Sequence, residues 1–295
     1  MSSEGDEQQC GSAGAAGEKL QKVLARAGLG SRREMEAAIA AGRVQVAGRT
    51  ARLGDRVGPR DPVELDGRLV QRVHRQPPAR VLLYNKPEGE ITTRSDPEGR
   101  KTVFHKLPRT LGRWIAVGRL DINSQGLLLF TTDGELANAL MHPSSGVERE
   151  YACRIRGAVT EEMVQVLVDG VELEDGPAHF DVIESGMPLD DPQESANAWF
   201  HVIVSEGRKR EVRRLWESQG VTVSRLIRVR YGPIVMPRDL RQGRLRELDQ
   251  TQLVELYRHV GLEPPARQRA PAASPSATAK RRRRPAPRRR RSPAR

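Results

Sequence analysis

The sequence predicts an α+β protein in two units: a small helix–helix–strand module, then a larger domain on a mixed, largely antiparallel sheet. Three observations carry the prediction. Strand-like and helix-like patterns alternate irregularly in the second unit, without the strict rhythm that builds a parallel sheet. Short alternating apolar runs are separated by Gly-centred turns, as in hairpins. Between the units, residues 71–79 are polar and contain Pro77-Pro78, the composition of a linker.

Taken in order, residues 1–17 are rich in Gly, Ser, Ala and Gln, have no period and are expected to be disordered. Leu20, Val23, Leu24 and Ala27 stand at i, i+3, i+4 and i+7, one face of a helix, which Gly28 and Gly30 end. Ser31 is placed as an N-cap with Glu34 three residues later, the capping-box pattern. Met35, Ala38 and Ile39 give this second helix its apolar face, and Gly42 is placed to stop it. Short strands follow at 44–46, at 51–53 after a turn at Gly48, and at 63–65. In the second unit, 81–84 reads as a buried strand and 85–101 as a long polar loop. Segments 115–117 and 127–130 read as central strands. Thr132 and Glu135 repeat the capping-box pattern before a helix over 136–141, which Pro143 terminates. The remaining elements are a strand at 149–155, a helix at 160–168, a strand at 199–204, a helix at 211–217 closed by Gly220, a strand at 221–229 and a helix at 251–260.

The 295 residues carry 50 Lys+Arg against 38 Asp+Glu, a formal net charge of +12. Residues 266–295 hold twelve basic and no acidic residues, which leaves 1–265 formally neutral. The Arg/Pro-rich tail from 263 to 295 cannot bury a core and is expected to be disordered. It reads either as a nonspecific RNA tether or as a dispensable extension. Neutrality hides segregation: 160–195 contains eleven acidic residues and no Lys or Arg, and 205–244 contains eleven basic and four acidic ones. A basic face and an acidic face are expected, the first suited to a phosphate-rich partner.

Several classes are excluded by composition. No apolar run approaches the ~20 residues of a membrane-spanning helix, and the N-terminus lacks the basic and apolar regions of a signal peptide. Cys10 and Cys153 cannot build a disulfide framework. No Cys/His cluster has zinc spacing, and no Gly-rich loop leads into Lys-Ser or Lys-Thr. The expectation is a cytoplasmic, monomeric protein that needs no metal or cofactor and touches no membrane.

Lys19, Lys22, Arg26, Arg32, Arg33 and Arg43 cluster on the first two helices and the following turn. Charge alone is equally compatible with a solvated face. The pattern Lys19-Leu20, Leu24, Ala27-Gly28, Ser31-Arg32-Arg33, Ala41-Gly42-Arg43-Val44 resembles the S4 (αL-like) RNA-binding domain over about 50 residues. That resemblance implies that these residues, with Ser31, contact phosphates of folded RNA, reading shape rather than base identity.

The run Gly118-Arg119-Leu120-Asp121-Ile122-Asn123-Ser124-Gln125-Gly126-Leu127-Leu128 is the second motif. An Asp in a turn is ordinarily structural. Here it lies between two apolar strand-like segments, two residues after an Arg and five before a Gly. The run resembles the signature of pseudouridine synthases of the RsuA/RluB branch, with Ser124 where Thr is usual. Three further segments agree in order: Asn85-Lys86-Pro87, Glu148-Arg149-Glu150-Tyr151, and Gly207-Arg208-Lys209-Arg210-Glu211-Val212-Arg213. Lys209 and Glu211 stand where Asn and Gln are common. Taken alone, Lys86-Pro87 is a turn, Tyr151 a sheet-face aromatic and Arg213 a surface cation. His105, His179 and His201 are isolated and read as structural.

The resemblance implies an S4 domain over 18–70, a linker at 71–79 and a pseudouridine synthase catalytic domain with a central cleft over 80–262. The implied reaction converts uridine in RNA to its C-glycoside. Asp121 is the implied catalytic carboxylate, Arg213 the cation paired with it, Tyr151 and Val212 the two faces of the base site, and Arg119 the residue that braces the space left by a flipped nucleotide. Around the signature the sequence most resembles the large-subunit enzymes of the branch, which implies ribosomal RNA as partner and uridine 2605 of 23S rRNA, near the peptidyl transferase centre, as target. The rival readings are a small-subunit rRNA synthase and a non-catalytic ribosome-assembly protein. Loss of Asp121 would mark the second, and Asp121 is present.

Overall fold

The computed structural model describes residues 17–70, 79–108, 113–186 and 197–265. The expectations for 1–16, 71–78 and the basic tail lie outside these ranges. The first module runs β1 (Glu18–Lys19), α1 (Leu20–Arg26), α2 (Arg32–Ala40), β2 (Val44–Val46), β3 (Arg49–Thr50), β4 (Arg56–Val57), β5 (Val63–Leu65) and β6 (Arg68–Leu69). Its sheet has the order β3-β2-β5-β6. Leu20, Leu24, Ile39, Val44 and Val63 form the buried core between helices and sheet. The Ser31–Glu34 capping box is present in both directions. The strand expected at 51–53 is instead β3. Ala47 and Gly48, at φ 49° and 79°, form a two-residue turn, so pairing resumes at once with Arg49 opposite Val46.

The second unit contains β7 (Val81–Lys86), β8 (Ile115–Val117), β9 (Gln125–Thr131), α3 (Gly134–Met141), β10 (Arg149–Arg156), α4 (Glu161–Asp169), β11 (Val171–Leu173), β12 (Gly176–Ala178), β13 (Val182–Ser185), β14 (Trp199–Val204), α5 (Glu211–Ser218), β15 (Thr222–Tyr231), β16 (Ile234–Val235), β17 (Leu245–Glu247) and α6 (Gln250–His259). The main sheet has the order β13-β14-β10-β15-β9-β7-β17, with β8 on β9 and β16 on β15. Among the described residues every pairing in it is antiparallel except β15 with β9, which is parallel. The sheet is thus two antiparallel halves joined at one parallel seam.

Each half has its own apolar core. Leu83, Leu127, Leu129, Leu136, Leu140 and Leu256 pack with α3 and α6 on one side of the seam. Phe180, Phe200, Val202, Leu215 and Trp216 pack with α4 and α5 on the other. At the seam, Gly126 has φ +100° and lies opposite Arg228, where an added Cβ would stand 2.3 Å from the Arg228 carbonyl oxygen.

The cap of α3 differs from expectation. The Thr132 hydroxyl accepts from the Arg80 N–H, and the Asp133 carboxylate caps the helix through the Glu135 and Leu136 N–H groups. Strands β11, β12, β13 and β17 have no counterpart in the sequence reading. The separation of acidic and basic faces is incomplete: the Asp175 carboxylate accepts from Arg214 and lies within ion-pair distance of Arg208. The acidic segment is therefore neutralised in part by its basic counterpart within the fold.

Candidate active site

A cleft of about 910 Å³ opens over the seam, and Arg119, Asp121, Tyr151 and Val212 all line it. Asp121 sits in the turn between β8 and β9, a turn closed by the Ser124 N–H donating to the Asp121 carbonyl at 3.0 Å. Its carboxylate is exposed, and no Lys, Arg or His among the described residues lies within ion-pair distance of it.

The backbone of that turn is held from both halves of the sheet. From β7, the fully buried Lys86 ammonium donates to the carbonyls of Pro87 (3.1 Å), Asp121 (2.9 Å) and Ser124 (2.7 Å). From α5, the Arg213 guanidinium donates to Val223 O at 2.6 Å and Asn123 O at 3.2 Å. This corrects the expectation that Arg213 pairs with Asp121. Its fork is taken up by two carbonyls, so it fixes the turn rather than the carboxylate. Burial lowers the Arg213 pKa, and the field of Asp121 acts in the opposite direction.

Burial also brings the Lys86 ammonium down from its ordinary 10.5 to about 8, although Glu90 and Asp121 favour the charged form. The unfolded chain keeps this proton to about 10.5. Between the two values the unfolded state binds more protons, so this group makes folding more favourable as pH rises. Activity runs the other way, because a neutral amine has two hydrogens for three carbonyls. Turnover is expected to fall along one ionisation near pH 8 with no parallel loss of thermal stability from this group. Rates and melting curves measured from pH 6.5 to 9.5 check it, and a rate that stays level to pH 9.5 counts against it.

Tyr151 and Val212 face the cleft from β10 and α5. Tyr151 is half-buried and Val212 is almost wholly buried. Arg119 is exposed at the rim. A bulge between Glu150 and Tyr151 puts Arg149 opposite Tyr231 and Tyr151 opposite Arg228. Arg149 donates to Ser205 O and Glu206 O, tying β10 to the loop before α5. Glu211, the Gln-position departure, is buried, its pKa is raised by that burial, and its carboxylate accepts from the Arg208 N–H.

In the first module Lys19, Arg32 and Arg33 are exposed. The other candidates there have partners. Lys22 meets Glu18 and Glu135, Arg26 pairs with Glu18, and Arg43 is bidentate on Asp66. The Ser31 hydroxyl is spent on the helix cap. Sequence reasoning passed over Arg228 and Tyr231, which line the cleft: the first reads only as a residue of the strand at 221–229, and the second lies beyond it.

The model of the RNA pseudouridylate synthase family matches residues 80–218, and that of the S4 domain matches 18–63. The chain is 59% identical over 252 residues to the ribosomal large subunit pseudouridine synthase B of Pseudomonas aeruginosa, over 85% of this chain and 64% of that protein. It therefore spans just under two thirds of that relative's length. The protein of the same name from Shigella flexneri is 58% identical over 252 residues, 84% of this chain and 85% of its own. A crystal structure of a pseudouridylate synthase superposes with a TM-score of 0.56 at 23% identity, covering 81% of this chain and 99% of the other, so the fold is shared. The chain belongs to the RNA pseudouridylate synthase family, and an S4 domain precedes its synthase domain.

Proposed function

We propose that the protein isomerises a uridine of large-subunit ribosomal RNA to pseudouridine, with uridine 2605 of 23S rRNA as the target. The observation that carries this is the exposed Asp121 carboxylate, on a turn pinned from both half-sheets, at the wall of a cleft also lined by Tyr151 and Val212. The names of the relatives supply the substrate class.

The reaction breaks N1–C1′, turns the uracil in place and joins C5 to C1′. It needs a carboxylate at the sugar, a slot that keeps the free base, and an acceptor for the C5 proton. Asp121 either attacks C1′ or removes the C2′ proton. Both routes use it as the carboxylate. Tyr151 and Val212 hold the two faces of the ring, and the Tyr151 hydroxyl assists removal of the C5 proton. Lys86 and Arg213 act through the backbone, which positions the carboxylate.

The target must leave its stack to reach Asp121, and Arg119, exposed at the rim, braces the gap. Arg119→Ala is expected to slow turnover of folded rRNA at least tenfold, with a smaller loss on an unstructured fragment carrying the same uridine. Equal losses on the two would remove this role. Residues 18–70 serve as the RNA-binding domain, with Lys19, Arg32 and Arg33 as exposed cations on it, and 80–262 as the catalytic domain. The protein works in the cytoplasm as a monomer.

The test is carbodiimide primer-extension mapping of unmodified large-subunit rRNA treated with the protein. A single new stop at uridine 2605 is the expected result. A stop in small-subunit rRNA would reassign the substrate, and no stop in either would leave an RNA-binding protein.

A further inference from the structure

Arg228 is a buried cation that the roles above leave unused. It is 2% exposed, forms part of the cleft lining, and has no carboxylate within ion-pair distance among the described residues. Its Nε donates to Leu127 O at 2.7 Å, and its guanidinium carbon lies 5.0 Å from the centre of the Tyr231 ring. Its Nη2 is buried without a hydrogen-bond partner. An arginine cannot shed its charge, and an uncompensated buried guanidinium is costly.

Position says what the charge is for. On one side Arg228 stands directly opposite Tyr151 in the β10–β15 pairing, a neighbour at about 5 Å between Cβ atoms. On the other, its Nη1 lies 4.0 Å from where a Cβ of Gly118 would be, three residues before Asp121. The missing side chain of Gly126 lets β15 close onto β9, which sets Arg228 at this depth. The guanidinium therefore occupies the cleft floor between the ring that carries the base and the turn that carries the carboxylate.

We propose that Arg228 stabilises the uracil anion released in the first step, so that it is a further catalytic residue. When N1–C1′ breaks, its electron pair leaves with the base. Asp121 supplies a pair to C1′, or takes the C2′ proton while the C2′–H pair forms a C1′–C2′ double bond. In either route no proton reaches the base, which holds one negative charge over N1, O2 and O4. The Arg228 cation offsets that charge until C5 gives its pair to C1′, as the Asp121–C1′ bond breaks or Asp121 returns the proton to C2′; the C5 proton is then lost to solvent with the help of the Tyr151 hydroxyl. Preorganised donors of this kind act where charge develops and need no reorganisation.

This rests on the proposed use of Asp121 and Tyr151 in the cleft. The experiment compares rRNA fragments with uridine or 5-fluorouridine at the target, in single turnover, for the wild type, Arg228→Gln, Arg228→Lys and Asp121→Asn. Fluorine withdraws electrons and stabilises the departing anion, so the fluorinated base needs the cation less. Arg228→Gln is expected to slow uridine consumption by about 100- to 1000-fold, with RNA affinity within about threefold of wild type. Its loss on 5-fluorouridine should be at least tenfold smaller, and Arg228→Lys should fall between. Should the Gln variant fail to fold, the Lys variant carries the same comparison, because its ammonium reaches Leu127 O. Equal losses on the two RNAs, unchanged turnover, or a loss confined to affinity would overturn the role. Asp121→Asn should abolish both reactions alike, and a wild type inactive on both would overturn the functional reading itself.

Discussion

Asp121→Asn is expected to leave no detectable pseudouridine, a loss of at least about 10⁴-fold, while fold and RNA affinity stay as they are. The expectation follows from how the residue is held. The fold grips Asp121 by its carbonyl, through Lys86 and through the turn to Ser124, and the carboxylate itself is exposed. Asn keeps that carbonyl and nearly the same volume, so stability should move by no more than about 0.5 kcal/mol, as at ordinary surface sites. What it loses is the charge that attacks C1′ or takes the C2′ proton. Nucleoside analysis of treated rRNA, with a melting curve and a binding isotherm, separates the two effects. Residual turnover within about 100-fold of wild type would show that another group does the chemistry.

The largest expected loss of stability is at the seam. Gly126→Ala should cost about 4 kcal/mol, combining strain at φ +100° with a Cβ driven to 2.3 Å from the Arg228 carbonyl and 2.8 Å from its nitrogen. These are backbone atoms of a paired strand, which cannot swing aside as a side chain would. The comparison is Gly118→Ala, also at positive φ (+74°), where the nearest atom is the Arg228 Nη1 at 4.0 Å and the cost is conformational only, about 1 kcal/mol. Urea denaturation of the two variants checks the difference. A cost below about 1 kcal/mol at Gly126 would mean that the halves can part without loss. Because the cleft lies across the seam, Gly126→Ala should also lose activity under conditions where it remains folded.

What was legible in the sequence follows local rules. The Ser31 capping box, the helix stop at Gly42 and the continuous apolar run of β9 are each decided by a few neighbouring residues, and each stands where the pattern put it. Legibility failed where distant partners decide. Thr132 looked like a cap until Arg80, fifty residues earlier, claimed its hydroxyl. Arg213 looked like an ion-pair partner for Asp121, but the choice between carboxylate and carbonyl was made by Val223 and Asn123. Among the candidate residues the motif singled out Asp121, and its place at the cleft wall could be read locally because its neighbours in sequence are also its neighbours in the turn. Arg228 stayed hidden because its depth comes from the missing side chain of Gly126 on another strand.

The parallel seam has a consequence for how the protein is made. Gln125 and Ile227, partners across it, are about a hundred residues apart, and contacts of that separation close late because the intervening chain must first be ordered. At ribosomal speeds of about 5–20 residues per second, β9 waits roughly 5–20 s for β15 to be synthesised. During that time β7 can cover one edge of β9 and β8 the far end of the other, while the edge at Gln125 and Gly126 stays open until β15 arrives. Changes near the seam should therefore appear first as aggregation or chaperone demand during synthesis, before any defect is measurable in protein that has already folded.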